Sequence, residues 1–316
     1  MKILANDGIS KSGKDALEKE GFEVIITKVA QNQLENYINE HNIDVILVRS
    51  ATQVRQELID ACPSIKLIGR GGVGMDNIDV EYAKEKGINV INTPAASSHS
   101  VAELVFAHLY GLARYLHNAN RDMPLEGDSR FKDLKKAYAK GTELKGKTIG
   151  ILGFGRIGQA TAKVAIGSGM NVIVYDPFIE EANLELDFFD GQKLNFNIKT
   201  ISKDSVLKQS DFITLHVPAQ KDYVIGANEF AMMKEGVILV NAARGGVIDE
   251  VALVNSIENG KVARAALDVF EKEPQPEVQL LMNPALSLTP HTGAATNEAQ
   301  DRIGTELASQ IIDILK

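Results

Sequence analysis

The sequence predicts an α/β protein built from two doubly wound parallel-sheet domains. Short β-branched apolar runs alternate with longer segments of helical period from the first residues, and the rhythm restarts at Lys147 after an interruption. The 316 residues, 44 % of them apolar, suffice for two cores of roughly 100 to 200 residues each. Continuous apolar strands, rather than alternating ones, are what a sheet covered by helices on both faces requires.

In the first half, Ile3–Ala5, Phe22–Thr27, Val45–Val48, Lys66–Ile68 and Asn89–Ile91 read as strands with helices between them, one small domain. A long helix is expected from about Ser98, an N-cap candidate, to His117, with Val101, Leu104, Val105, His108, Leu109 and Leu112 on one face. It would serve as a link or an oligomer face. Arg121–Lys140 is charged and weakly periodic, and Pro124 and Gly127 break it, so loop and broken helix are expected there. From Lys147, six strands follow: Thr148–Leu152, Asn171–Tyr175, Phe212–His216, Val237–Val240, Ala263–Leu267 and Ser287–Thr289. The segment Ile179–Thr200, with Phe188, Phe189 and Phe196, is assigned no element. Asn297–Lys316 is an amphipathic helix with Ile303, Leu307, Gln310, Ile311 and Ile314 on one side, expected to pack back onto the first domain. The domains are therefore placed at 1–97 plus 294–316 and at 98–293.

Charge and cysteine content narrow the function classes. There are 34 basic and 42 acidic residues, net −8, with no block of like charge at either end, which disfavours nucleic acid as a partner. One cysteine, Cys62, allows neither an intrachain disulfide nor a cysteine-based metal site, and no metal is expected. Asn6 and Asp7 interrupt the start where a signal peptide needs an apolar stretch, and no run approaches the roughly 20 apolar residues of a membrane span. A soluble cytoplasmic protein without membrane contact is expected.

Gly-x-Gly-x-x-Gly occurs twice, as Gly69, Gly71, Gly74 and as Gly153, Gly155, Gly158. The bare pattern is weak evidence, so context decides. The second set follows a strand and opens a helix, where main-chain amides can hold a pyrophosphate that the missing side chains allow to come close. The next strand ends at Asp176, whose carboxylate can accept hydrogen bonds from a ribose diol and repel a 2′-phosphate, favouring NAD over NADP. The first set lacks these partners and reads as a tight strand exit, although its amides could face a substrate anion. The second domain is thus expected to be a Rossmann dinucleotide-binding domain, and the smaller first one a flavodoxin-like substrate domain.

Among six histidines, His108 and His117 sit in helical pattern and His41 at a helix exit, whereas His99 and His216 lie near loops. His291, directly after Pro290 at the last strand end, sits where open α/β sheets bind ligands and is the candidate base. Arg244 follows a strand end and precedes Gly245 and Gly246, which would leave space for a small molecule. A guanidinium there can grip a carboxylate through two parallel bonds. Asp268, Glu271 and Glu273 follow another strand end, and one of them could hold the His291 imidazolium in orientation; spacing alone does not select which.

Taken together, Val48–Thr52, Gly69–Asn77, Ser100–Leu104, Gly141–Leu144, Gly150–Gly158, Asn241–Gly246, Ala266–Phe270, Glu273-Pro274 and Pro290-His291 make the chain resemble the D-isomer-specific 2-hydroxyacid dehydrogenases over nearly its whole length. It is most similar to their short-form phosphoglycerate members. The resemblance implies a catalytic Arg244, Glu273 and His291, and so selects Glu273 from its neighbours. It implies cofactor contacts at Arg156, Ile157, Asp176, Val217 with Pro218, Ala242, Asp268, and the segment from His291 to Gly293. Substrate is implied near Arg49, Ser50 and the amides of Val73 and Gly74.

The chemistry implied is hydride transfer between C2 of a 2-hydroxy acid and NAD, with His291 taking the hydroxyl proton, Arg244 binding the carboxylate, and domain closure excluding water. The leading expectation is phosphoglycerate oxidation for serine synthesis by a homodimer that uses the helix from Ser98 and the loop that follows it. The sequence ends after one C-terminal helix, so serine feedback through an added domain is not expected. An asparagine frequent in the substrate loop of phosphoglycerate enzymes is not evident in Ala95–Ser98, and Arg49 is the only obvious cation for a phosphate. A glyoxylate or hydroxypyruvate reductase is therefore the nearest alternative. An NAD-sensing, corepressor-like binding protein is the alternative from another class.

Overall fold

Val45–Val48 is buried at every position, because alternate side chains of a strand point to opposite faces of the sheet and here both faces are covered. The computed structural model describes residues 1–316 and divides into two units, Met1–Ser100 with Ala294–Lys316, and Val101–Gly293.

The first unit carries β1 (Lys2–Ala5), α1 (Lys11–Lys19), β2 (Glu23–Ile26), α2 (Leu34–His41), β3 (Val45–Val48), α3 (Gln56–Ala61), β4 (Leu67–Arg70), α4 (Val80–Glu85) and β5 (Asn89–Asn92). All pairings are parallel and the order is β2-β1-β3-β4-β5, the flavodoxin-like arrangement. Leu4, Ile46, Val48 and Ile68 pack against Leu34, Ile38, Leu58 and Ile59 on one face. Ile3, Val45, Leu47 and Leu67 pack against Leu17, Ile303, Leu307 and Ile311 on the other. The last three belong to the C-terminal helix, which therefore completes the first unit's core. Ile314 is an exception to the expected stripe and lies exposed, while Gln310 donates from Nε2 to the Asn92 carbonyl at 3.0 Å.

α5 (Ser98–Ala113) leads into the second unit. There follow α6 (Leu116–Glu126), α7 (Phe131–Ala137), β6 (Thr148–Leu152), α8 (Arg156–Gly167), β7 (Asn171–Tyr175), β8 (Glu181–Asp187), β9 (Lys193–Lys199), α9 (Lys203–Gln209), β10 (Phe212–Leu215), α10 (Ala227–Met232), β11 (Val237–Asn241), α11 (Glu250–Glu258), β12 (Val262–Leu267), α12 (Val278–Leu281) and β13 (Leu286–Leu288). α13 (Asn297–Leu315) is the C-terminal helix. Six parallel strands in the order β13-β12-β11-β10-β6-β7 form the main sheet, whose direction of growth reverses between β6 and β10. Ligands of such sheets bind outside the carboxyl ends of the strands at that reversal.

The structure departs from the sequence expectations at the end and start of α5 and at Pro124, and adds an element where none was assigned. The helix expected to reach His117 ends at Ala113, where Tyr115 takes φ 54°. The Tyr115 ring lies 4.0 Å from the Arg264 guanidinium and 5.6 Å from the Tyr138 ring, which hold the turn. Ser98 is the first helical residue rather than the cap, and its Oγ is buried without a partner. Arg121–Lys140 is a broken helix as expected, interrupted at Gly127 between α6 and α7, but Pro124 does not break it: it lies inside α6, near its end, where a missing N–H removes a single bond. Finally, 179–200 forms an antiparallel hairpin, β8 with β9. Its Ala182, Leu184, Leu186, Phe196 and Ile198 join the core shared with Ile157 and Val164 of α8. Thr200 bridges to Val174, so the hairpin covers the free edge of β7.

Candidate active site

The glycine loop after β6 is shaped by close approaches. A side chain at Gly158 would place its Cβ 2.1 Å from the Gly153 carbonyl oxygen, so glycine is required for α8 to start tight against the strand. Gly155, the N-cap, faces open space instead. No side chain caps α8, leaving the first-turn amides of Arg156, Ile157 and Gly158 aimed outward beside that opening. This is the arrangement that receives a dinucleotide pyrophosphate. Asp176, at the end of β7, accepts the Phe154 amide at 2.7 Å through one oxygen and the Phe178 and Ile179 amides at 2.9 and 3.1 Å through the other. Three of its roughly four acceptor positions are used, leaving one for a ribose hydroxyl. Val217 and Pro218 follow β10, and the buried Ala242 follows β11, at the same end of the sheet.

Along β11, β12 and β13 a polar cluster is drawn together. The Asn241 side chain braces the turn after β11, donating from Nδ2 to the Arg244 carbonyl at 2.9 Å and accepting the Ala243 amide at 3.1 Å. Arg244 is half-buried and donates from Nη1 to the Ala243 carbonyl at 2.6 Å. Gly245 does not leave the space expected of it: a Cβ there would stand 1.8 Å from the Phe270 carbonyl oxygen, so that room is filled by backbone. The Phe270 amide in turn donates to Glu273 Oε1 at 3.0 Å, and Glu273 Oε2 lies 2.8 Å from His291 Nδ1. Glu271 is occupied elsewhere, its Oε1 accepting the Glu250 amide at 3.1 Å. Geometry thereby separates Glu273 from its acidic neighbours. The His291–Glu273 pair borders a cavity of about 400 Å³ whose other walls include Phe270, Pro274, Leu281, Leu288 and Pro290.

Asp268 is only 1 % exposed and braces the cluster from beneath. It accepts from the Thr289 hydroxyl at 2.6 Å, the Thr292 amide at 2.8 Å and the Gly293 amide at 2.9 Å. His216 sits at the end of β10 with Nδ1 sealed from solvent and without a partner, and burial pushes its pKa down to about 3. It cannot hold a proton near neutral pH. Burial also lowers His108 and His117, His41 stacks on Tyr37 at 4.0 Å, and His99 lies exposed in the first turn of α5.

In the first unit, a cavity of about 420 Å³ opens at the carboxyl ends of β1, β2 and β3 and is lined by Asp7, Lys28, Arg49 and Ser50, among others. Asp7 shapes it, accepting the Arg49 amide at 2.7 Å and the Thr52 hydroxyl at 2.9 Å. Val73 and Gly74 are not part of this lining; they form the turn after β4, where the Val73 carbonyl accepts from Asn92 Nδ2 at 2.7 Å. Lys28, absent from the sequence reading, adds a second cation to the lining of the cavity that Arg49 borders. Only the sheet order, which sets β2 and β3 on either side of β1, could reveal it.

The family profile of the D-isomer specific 2-hydroxyacid dehydrogenase, NAD binding domain, matches residues 106–293. The chain is 43 % identical to a hydroxypyruvate reductase of Thermotoga maritima, covering 98 % of this chain and 97 % of that protein. It is 40 % identical to a D-3-phosphoglycerate dehydrogenase of Archaeoglobus fulgidus, covering all of this chain and 58 % of that longer protein. Among solved structures, a D-lactate dehydrogenase from Aquifex aeolicus in complex with NAD and lactic acid superposes with a TM-score of 0.76 at 28 % identity, covering 100 % of this chain and 95 % of that one. The open glycine loop, the uncapped helix start and Asp176 fit NAD as the cofactor. The chain belongs to the D-isomer specific 2-hydroxyacid dehydrogenases, with an NAD-binding domain in its second unit.

Proposed function

We propose that the protein oxidises D-3-phosphoglycerate at C2 with NAD, yielding 3-phosphohydroxypyruvate for serine synthesis. The observation that carries the substrate assignment is that Lys28 and Arg49 line the same cavity. A substrate bearing both carboxylate and phosphate needs cations beyond the one that grips its carboxylate, and charge-assisted bonds are the stronger ones.

Bound NAD supplies a hydride acceptor at its nicotinamide ring. The chain's own groups handle the rest. His291 donates from Nδ1 to Glu273, which leaves the Nε2 lone pair to take the C2 hydroxyl proton as the carbonyl forms. Arg244 holds the substrate carboxylate and the C2 oxygen through its fork of donors. Arg49, Ser50 and the amides of Val73 and Gly74 bind the rest of the acid, with Lys28 and Arg49 on the phosphate.

Steady-state rates with 3-phosphoglycerate, 3-phosphohydroxypyruvate and hydroxypyruvate test the assignment. Lys28→Met is expected to raise KM for the phosphorylated acids by about tenfold and leave hydroxypyruvate unaffected. Equal or better turnover of the unphosphorylated acid removes the proposal. The 43 % identity to the Thermotoga maritima hydroxypyruvate reductase favours a second reading, reduction of hydroxypyruvate or glyoxylate. A homodimer in the cytoplasm belongs to the same proposal: Leu116, Leu125 and Phe131 of α6 and α7 are all more than half exposed. A sedimentation experiment giving a monomer would remove that part. If the parent shows no turnover and His291→Ala abolishes binding of a protein partner, the sensor reading takes its place.

A further inference from the structure

His108 lies on α5, 6 % exposed, and both ring nitrogens are bound. Nδ1 is 2.9 Å from the Ser287 hydroxyl and Nε2 is 3.1 Å from the Thr289 hydroxyl. Thr289 spends its only proton on Asp268 Oδ1 at 2.6 Å, so its oxygen can only accept from the histidine. Nε2 therefore carries a proton, and in the neutral ring Nδ1 accepts from Ser287. Burial keeps the ring neutral, its pKa held below the ordinary histidine value.

Asp268 passes this constraint to the loop beyond it. Its carboxylate accepts the Thr292 and Gly293 amides, and its carbonyl accepts the His291 amide at 2.8 Å. His291 itself takes φ 54°, a left-handed conformation that a residue with a side chain holds only when its surroundings enforce it. Thr289, Thr292 and Gly293 flank that residue on both sides, and all three hang on one buried carboxylate.

We propose that His108 is a positioning residue for His291: by fixing the Thr289 hydroxyl on Asp268, it locks the 289–293 turn in the conformation that aims the imidazole at substrate. The proposal rests on the reading of His291 as the proton acceptor. A histidine that only fills space on α5 would tolerate any side chain of similar volume, whereas this one acts through a single N–H at the Nε2 position.

Three substitutions separate those cases. Glutamine can present an amide N–H where Nε2 stands, asparagine reaches only as far as Nδ1, and leucine offers neither. His108→Gln should keep kcat within about threefold of the parent, while His108→Asn and His108→Leu should lose about tenfold or more in kcat with KM for acid and NAD changed less than about twofold. Hydrogen exchange of the 289–293 peptide should quicken in the asparagine and leucine variants alone. Thr289→Val, which cuts the same link from its other end, should reproduce both effects even where a change on α5 fails to fold. Parental kcat and exchange in His108→Leu overturn the proposal, as does a glutamine variant as impaired as the leucine one. His291→Asn retaining kcat defeats the reading of the base instead, and the exchange measurement then still reports on the His108–Asp268 link.

Discussion

Glu273 holds His291 at 2.8 Å through Oε2 while its other oxygen is tied to the Phe270 amide at 3.0 Å. The carboxylate thus has two donors to satisfy at once and cannot swing away from the ring. An amide in its place has a single oxygen, so either Phe270 N–H or His291 Nδ1–H must lose its acceptor. Glu273→Gln is accordingly expected to lower kcat by about 10²-fold with KM little altered, read from initial rates. A kcat within about threefold of the parent would show that the ring is oriented without this residue.

Asp176 has a double employment, which makes its removal informative. It fixes Phe154 in the glycine loop and keeps about one acceptor position, which we assign to the cofactor ribose. Asp176→Ala is expected to reduce kcat/KM for NAD by about tenfold or more and to narrow the preference over NADP, because a 2′-phosphate no longer meets a carboxylate. If kcat/KM falls for both cofactors by the same factor, the ribose assignment is wrong and only the loop brace was lost.

Strands were legible in this sequence where runs of β-branched and aliphatic residues mark them, buried throughout at Val45–Val48 and partly exposed at Asn171–Tyr175. Val45–Val48, Thr148–Leu152 and Asn171–Tyr175 coincide with the sequence reading. What escaped depends on contacts distant in the chain. Tyr115 turns left-handed over Arg264, Lys28 and Arg49 line one cavity from strands on either side of β1, and His108 finds Ser287 and Thr289 about 180 positions away. The β8–β9 hairpin was a different omission, since its signal is local: apolar residues at 182, 184, 186, 194, 196 and 198 alternate with polar ones around Asp190-Gly191. Arg244 and His291 stood out from strand-end position alone, but choosing Glu273 over Glu271 needed either the family resemblance or the geometry that engages Glu271 with Glu250.

Two glycines of the same loop should respond in opposite ways to one added methyl group. At Gly158 the methyl would press on the Gly153 carbonyl, whereas at Gly155 it would project into open space. Gly158→Ala is therefore expected to lower Tm by several degrees, in keeping with overpacking of about 1–3 kcal/mol. Gly155→Ala should leave Tm of the cofactor-free protein unchanged and weaken NAD binding measured by calorimetry, since the methyl occupies the approach to the helix amides. An unaltered NAD affinity in Gly155→Ala would move the pyrophosphate away from this loop.

His216 supplies a pH dependence whose sign follows from its burial. In the folded chain its pKa lies near 3, against an ordinary 6.5 when exposed. Above 6.5 the ring is neutral in both states and contributes nothing to pH dependence. Below it, the unfolded chain takes up a proton that the folded chain refuses, so stability falls as the medium is acidified, by about 1.4 kcal/mol per pH unit until the folded value is reached. Glutamine does not titrate and can still meet Thr214, whose hydroxyl lies 3.2 Å from His216 Nε2. Urea unfolding of the parent and His216→Gln between pH 7 and 4.5 should then give stabilities that diverge as pH falls, the variant losing less. Two curves that stay parallel across this range would mean that the ring gains its proton in the folded protein, and that water or a rearranged neighbour reaches Nδ1.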